Sequence, residues 1–175
     1  MVEFVVPHDP GWKTAFAAEA ALIGAALGGE IVRLHHIGST AIPNILAKPI
    51  IDLLGVVADL DSLDMNSAAM EGLGYEVMGA FGIEGRRYFR KIDAAGRRTH
   101  HLHVFTEGSP HIERHLAFRD YLTEHPAVAA AYSDLKANLT SQGTPSWDSY
   151  IEGKDPFITV TEADALNWYR RKQPD

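Results

Sequence analysis

His36-Ile37-Gly38-Ser39-Thr40-Ala41-Ile42-Pro43, followed by Lys48-Pro49-Ile50-Ile51-Asp52-Leu53-Leu54-Gly55-Val56-Val57, is the stretch from which the topology is read. Ile31 to His36 is rich in β-formers, and Lys48 to Val57 is an apolar run broken by a single carboxylate, so two strands joined by a turn are expected. Gly38 gives that turn freedom from a side chain. Backbone N–H groups and the Ser39 and Thr40 hydroxyls can then face a phosphate. Asp52 sits inside the second strand, where an ionised carboxylate costs several kcal/mol unless a cation, a metal or hydrogen-bond donors meet it.

On the N-terminal side, Asp9-Pro10 is a cap followed by a first-turn proline and Gly28-Gly29 is a stop, which predicts a helix over 10–27 with Trp12, Phe16, Leu22, Ile23 and Leu27 inward. On the other side, Asp61 to Leu73 reads as one helix closed by Gly74. Strands are expected at Tyr75–Met78, Arg86–Ile92 and Arg98–Phe105, the last two joined through Asp93-Ala94-Ala95-Gly96 as a hairpin. From Pro110 the pattern turns helical, with segments near 110–124, 126–141, 146–152 and 156–172. Strands followed by helices give an α+β class, expected as one domain over 1–175.

In the strand Arg98–Phe105, alternation puts Thr99, His101, His103 and Phe105 on one face. Should this strand neighbour that of Asp52, His36, His101, His103 and Asp52 would form a transition-metal site, or His103 would act as a general base. Structural, hydrogen-bonded histidines are the plainer alternative. His111 and His115 share a helix face, but His-Ile-Glu-Arg-His is not the HExxH order, and they read as a solvated helix start. No serine lies in a G-x-S-x-G elbow. Lys48, Arg86, Arg87, Arg119, Lys136 and Lys154 are the cations available to an anion, and a bidentate clamp suits Arg119.

Of 175 residues, 46% are hydrophobic and 22% charged, which is ordinary for a globular chain. A net charge of −7 argues against general nucleic-acid binding. The absence of cysteine removes thiolate metal sites, disulfides and cysteine nucleophiles. Met1-Val2-Glu3-Phe4 carries no basic n-region, and no run reaches the roughly 18 apolar residues of a membrane helix. A cytoplasmic protein without membrane contact is the expectation.

The segment His36 to Pro43 through Ala47-Lys48-Pro49-Ile50-Ile51-Asp52 resembles the hallmark of the GrpB family. The likeness continues at His101-Leu102-His103-Val104-Phe105, Phe118-Arg119-Asp120-Tyr121-Leu122, Tyr132 to Lys136, Tyr150 to Phe157 and Trp168, nearly the whole chain. The resemblance implies the polymerase-beta-like nucleotidyltransferase fold, a mixed sheet flanked by helices, here with a C-terminal helical layer. It also gives Ser39 the phosphate-loop role, with Gly38 and Thr40 beside it, and makes Asp52 the first catalytic carboxylate. The second carboxylate position falls at Leu54, and His103 stands near the third.

Two-metal transfer needs several carboxylates around ions about 3.5–4 Å apart. One aspartate can hold a single Mg²⁺ or Mn²⁺ with help from substrate phosphates, and imidazoles would admit Zn²⁺. The expected function is therefore binding of a nucleotide or small phosphoester, with transfer of a nucleoside monophosphate to a small acceptor as the reaction the fold suggests. Asp52 and His103 would be catalytic; Gly38, Ser39, Thr40, Lys48, Arg87, Arg119 and Lys136 would hold the ligand. The alternatives are a metal-dependent phosphoester hydrolase and a non-catalytic ligand-binding or accessory module with a protein partner, since GrpB-like segments also occur fused to a coenzyme A biosynthetic kinase.

Overall fold

A computed structural model of the chain describes residues 4–173, so Met1 to Glu3, part of the N-terminal stretch read above, lie outside the described residues. Helix α1 (Gly11–Leu27) begins after Pro10, with Asp9 Oδ1 accepting from the Gly11 N–H at 2.8 Å, and it ends at Gly28. Strand β1 (Ile31–Ile37) leads through a 3-10 turn at Ser39–Ala41 to β2 (Ile51–Val57). Short helices α2 (Leu60–Met65) and α3 (Ala68–Gly72) precede β3 (Tyr75–Val77), β4 (Arg87–Ile92) and β5 (Arg98–Thr106). Three helices follow, α4 (Pro110–Glu124), α5 (Pro126–Leu139) and α6 (Trp147–Lys172).

The five strands form one sheet in the order β1-β2-β5-β4-β3. Neighbours are antiparallel except β2 and β5, which run parallel, so the sheet is mixed and the expected α+β class holds. The β4–β5 hairpin is present as the sequence indicated. On one face, Leu53, Phe89, Leu102 and Val104 pack with Trp12, Ile23 and Leu27 of α1 and with Leu63 and Met70 of α2 and α3. On the other face Ile37, Leu54 and Phe105 meet Ile112 and Leu116 of α4. A further cluster ties Ile42 and Ile45, after the turn, to Leu122, Ala129 and Tyr132 of α4 and α5. That anchor holds the Ser39 turn against the C-terminal helices.

Three local expectations are corrected. In α1, Leu22 is 48% exposed and Glu19 is buried. Trp12, Phe16, Glu19, Ile23 and Leu27 fall on one helical stripe, and Leu22 lies 100° from Ile23, off that stripe. Glu19 is satisfied inside by the Tyr75 hydroxyl at 2.8 Å and Lys91 Nζ at 3.0 Å. The segment read as one helix over Asp61 to Leu73 breaks at Asn66, whose side-chain amide donates to the Ser62 carbonyl at 2.9 Å and competes with helix continuation.

The third correction concerns Pro156, which was expected to open a new helix and instead lies inside α6. Proline removes one backbone donor and crowds the preceding turn, at a cost of about 3 kcal/mol. Packing on both sides offsets it. Tyr150 is buried before the proline, Phe157 stacks on Tyr132 with ring centroids 5.0 Å apart after it, and Leu139 of α5 lies against Gly153 where a larger residue would collide.

Candidate functional site

The antiparallel register of β1 and β2 sets Ile37 opposite Asp52, and the parallel register of β2 and β5 sets His101 beside Asp52 and His103 beside Leu54. Side chains at paired positions share a face, so Asp52, His101 and His103 converge. Asp52 Oδ1 lies 3.6 Å from His101 Nδ1 and 3.5 Å from His103 Nε2. Burial pushes the Asp52 carboxyl up, but hydrogen bonding and charge from the two imidazoles outweigh it and hold the group well below the usual carboxylate range. Arg86, which can only donate, has a guanidinium nitrogen 3.4 Å from His103 Nδ1. It leaves His103 Nε2 as the protonated nitrogen facing Asp52. His101 Nε2 is buried without a protein partner.

Gly38 closes the other side of the carboxylate. Its backbone has φ 73° and ψ −172°, and a Cβ there would lie 2.7 Å from Asp52 Oδ2. The next residue, Ser39, receives a short hydrogen bond from Lys136 Nζ, which also donates to the Leu46 carbonyl at 3.0 Å. Lys136 is 1% exposed. Thr40 Oγ1 is 2.9 Å from His36 Nε2.

Three lysines meet at this turn. Lys48 lies over the Trp147 ring, 3.3 Å from its centroid, and Lys154 lies 4.4 Å from the centroid of Tyr150. With Lys136 they line a cavity of about 120 Å³ whose floor includes Ser39, Asp52 and His101. Burial, then the charge of Lys154, brings the Lys48 ammonium down to about 7. Burial, followed by Lys154 and Lys48, brings Lys136 well below its ordinary value, and burial lowers Lys154. Among the described residues none of these three is ion-paired with a carboxylate. Mutual repulsion that the single carboxylate of Asp52 only partly offsets is what an anion would relieve.

Several residues expected at the site stand elsewhere. His36 pairs with Leu53 across the sheet and so faces α1, where its ring stacks on Phe16 with centroids 4.9 Å apart. Burial brings it down to about 4, and it is not grouped with His101 and His103. Arg119 donates to the His36 carbonyl at 3.1 Å and to Asp120 at 2.8 Å, a structural clasp outside the cavity. Arg87 pairs with Val104, on the opposite face, and makes a two-bond contact with Asp64 at 2.7 and 2.9 Å. Since that pair is partly solvated, Arg87→Ala should cost no more than about 1 kcal/mol in a denaturant melt and leave anion affinity unchanged.

His115, read as solvated, is instead half-buried beside His103, ring centroids 5.8 Å apart, and burial brings it down to about 3. His111 stacks on Phe105. Trp147 was not singled out by sequence, and Tyr150 only as the start of a segment that resembles the family. With Lys154 they lie at spacings of three and four on α6, the helical signal that would have found them. The four side chains expected to bind a transition metal are thus divided between two faces, and among the described residues no group of three His, Asp or Glu is arranged to hold an ion. Leu54, where a second carboxylate would be needed, is buried with Ile37 and Phe105. This donor set does not fit a two-metal clamp.

Comparison with known proteins agrees with the fold. The chain is 42% identical to a conserved protein GrpB from Enterococcus faecalis of known crystal structure, with a TM-score of 0.89 over 94% of this chain and 98% of that one. A crystal structure of the Cid1 poly(U) polymerase with MgGTP bound matches at a TM-score of 0.53 and 14% identity, over 77% of this chain and 45% of that one, a likeness of fold alone. The UPF0157 protein YqkA of Bacillus subtilis is 43% identical over 164 residues, which are 94% of this chain and 47% of YqkA, so the chain spans about half the length of that relative. No helix among the described residues is long and apolar enough to cross a membrane. Since the family model for GrpB protein also matches residues 3–164, the strand–Gly38-Ser39–strand unit and its helical cover are those of a chain that belongs to the GrpB family.

Proposed function

We propose that the protein binds the phosphate of a nucleotide or other small phosphoester in the cavity between the Ser39 turn and α6. The observation that carries this reading is the convergence of Lys48, Lys136 and Lys154 on one small cavity without a carboxylate partner of their own. The rest of the ligand has room beside it. A cleft of about 550 Å³ shares Lys48, Ile50 and Trp147 with the cavity and is extended by Phe4, Arg97 and Arg98. Asp93 also lines the cleft and is paired with Arg97, so an apolar body with a second acidic group set toward Arg98 suits that lining. Asp52 and His103 remain the candidates for proton handling next to the phosphate, because the carboxylate holds the imidazole in place and Arg86 fixes its tautomer.

Sulfate, whose charge is constant from pH 6 to 9, tests the reading by titration calorimetry. Lys48 has a native value of about 7, and a bound anion must raise it, so binding takes up protons above that pH. Affinity should fall as pH rises through about 7, by about tenfold per pH unit for each lysine that must be charged. The ligand-free protein shows the opposite trend. Its native Lys48 binds fewer protons than the unfolded chain between about 7 and the ordinary lysine value, so stability rises with pH across that window. Sulfate affinity that is flat from pH 6 to 9, or no sulfate binding at pH 6, would remove the cavity from consideration.

A further inference from the structure

Resting on the phosphate-binding reading, we infer that this anion site works without a divalent ion, with Lys48, Lys136 and Lys154 supplying the positive charge that metal ions supply in two-metal transferases. Magnesium is held by oxygen ligands in near-octahedral array and usually by one or two carboxylates plus phosphate. Here the single carboxylate already faces two imidazoles at ion-pair distance. Oδ1 of Asp52 lies between the protonated nitrogen of His103 and Nδ1 of His101, and Oδ2 is pressed against Gly38 so closely that a methyl group would not fit.

The remaining oxygens at the cavity are committed too. The Ser39 hydroxyl accepts from Lys136, and the Thr40 hydroxyl is bonded to His36. A softer ion finds a single uncommitted nitrogen, His101 Nε2, because His103 Nδ1 faces Arg86 and His36 is on the other side of the sheet, and one imidazole does not make a transition-metal site. Electrostatics points the same way. A dication would enter a cavity lined by three lysines and one carboxylate and drive protons off the lysines, whereas a phosphate dianion draws protons onto them and is neutralised by them. Lysine is a point-charge phosphate binder that needs no fixed ligand geometry, so the three side chains can follow one anion.

Isothermal titration of the intact protein with pyrophosphate, once in excess EDTA and once in excess Mg²⁺, decides the matter, with Mn²⁺ titrated alone as a second measurement. The expected result is binding in EDTA as tight as in Mg²⁺, to within about threefold, or tighter because Mg²⁺ withdraws charge from the ligand, and no saturable heat from Mn²⁺ alone. Tightening by about tenfold or more on adding Mg²⁺, or a stoichiometric Mn²⁺ site, would overturn the inference while leaving phosphate binding intact. Absence of binding in both buffers would defeat the phosphate reading itself, and the metal-free site with it.

Discussion

Gly38→Ala should lower stability by about 3–5 kcal/mol and abolish sulfate binding. Two costs add. The backbone at φ 73°, ψ −172° belongs to a region that is essentially closed to residues with a side chain, worth about 1–3 kcal/mol. The added Cβ also meets Asp52 Oδ2 at 2.7 Å, and behind it Asp52 Cβ at 3.1 Å and Cγ at 3.2 Å. The nearest atom alone could swing aside, but Cβ is fixed to a central strand and cannot retreat.

A rotated Asp52 would abandon His101 and His103, leaving half-buried imidazoles without their acceptor and the turn displaced from Lys136. Gly28→Ala is the control. Its backbone, φ 56° and ψ −128°, is also closed to residues with a side chain, but nothing lies within 4 Å of a Cβ there, so only the backbone cost of about 1–3 kcal/mol applies, without the collision. Urea denaturation measures both; equal midpoints for the two variants would mean that Gly38 and Asp52 are not in close approach in solution.

The sequence carried the strand–turn–strand unit and the placement of Asp52 with His101 and His103 because those conclusions need only period-2 alternation and one neighbour relation, β2 beside β5. His36 was misplaced for want of one residue of register. Whether His36 or Ile37 shares the face of Asp52 depends on the antiparallel pairing of β1 with β2, and the β-bulge near its start is not written in any local pattern. Parity also separates the two adjacent arginines. Arg87 opposes Val104 and turns toward α2, while Arg86, just before the strand, is held by the Phe81 carbonyl at 2.8 Å and reaches His103.

The C-terminal contribution was hidden by a sound local rule applied where tertiary packing overrides it. Ending a helix before Pro156 separated Lys154 from Trp147 and Tyr150, although all three lie on one face of the continuous α6. The family likeness named the Ser39 turn and set Lys136 among the ligand-binding residues, but did not show that Lys154 joins them from a further helix. Lys136 on α5 and Lys154 on α6 reach the turn only because Ile42 and Ile45 pin it to the helices.

Lys154→Met should bind sulfate about a hundredfold more weakly at pH 6.5, equivalent to ~2.7 kcal/mol, and yet melt at a higher temperature than the parent protein. The loss of affinity follows from removing one of three charges that face the anion at short range. The gain in stability follows from the same charge in the empty cavity. Lys154 is the largest charge-based cause lowering both Lys48 and Lys136, and no carboxylate among the described residues pairs with it.

Methionine keeps most of the length and the contact with the Tyr150 ring, so packing is nearly conserved. Relief of repulsion should raise the Lys48 value from about 7 toward the ordinary lysine range, which also moves the pH at which residual sulfate binding is lost upward. Calorimetry of the melt together with sulfate titration at several pH values reads all three effects. A site strained by like charges for the sake of an anion gives opposite signs for stability and binding; a variant that loses both together would mark Lys154 as a packing residue and return the cavity to an ordinary feature of the core.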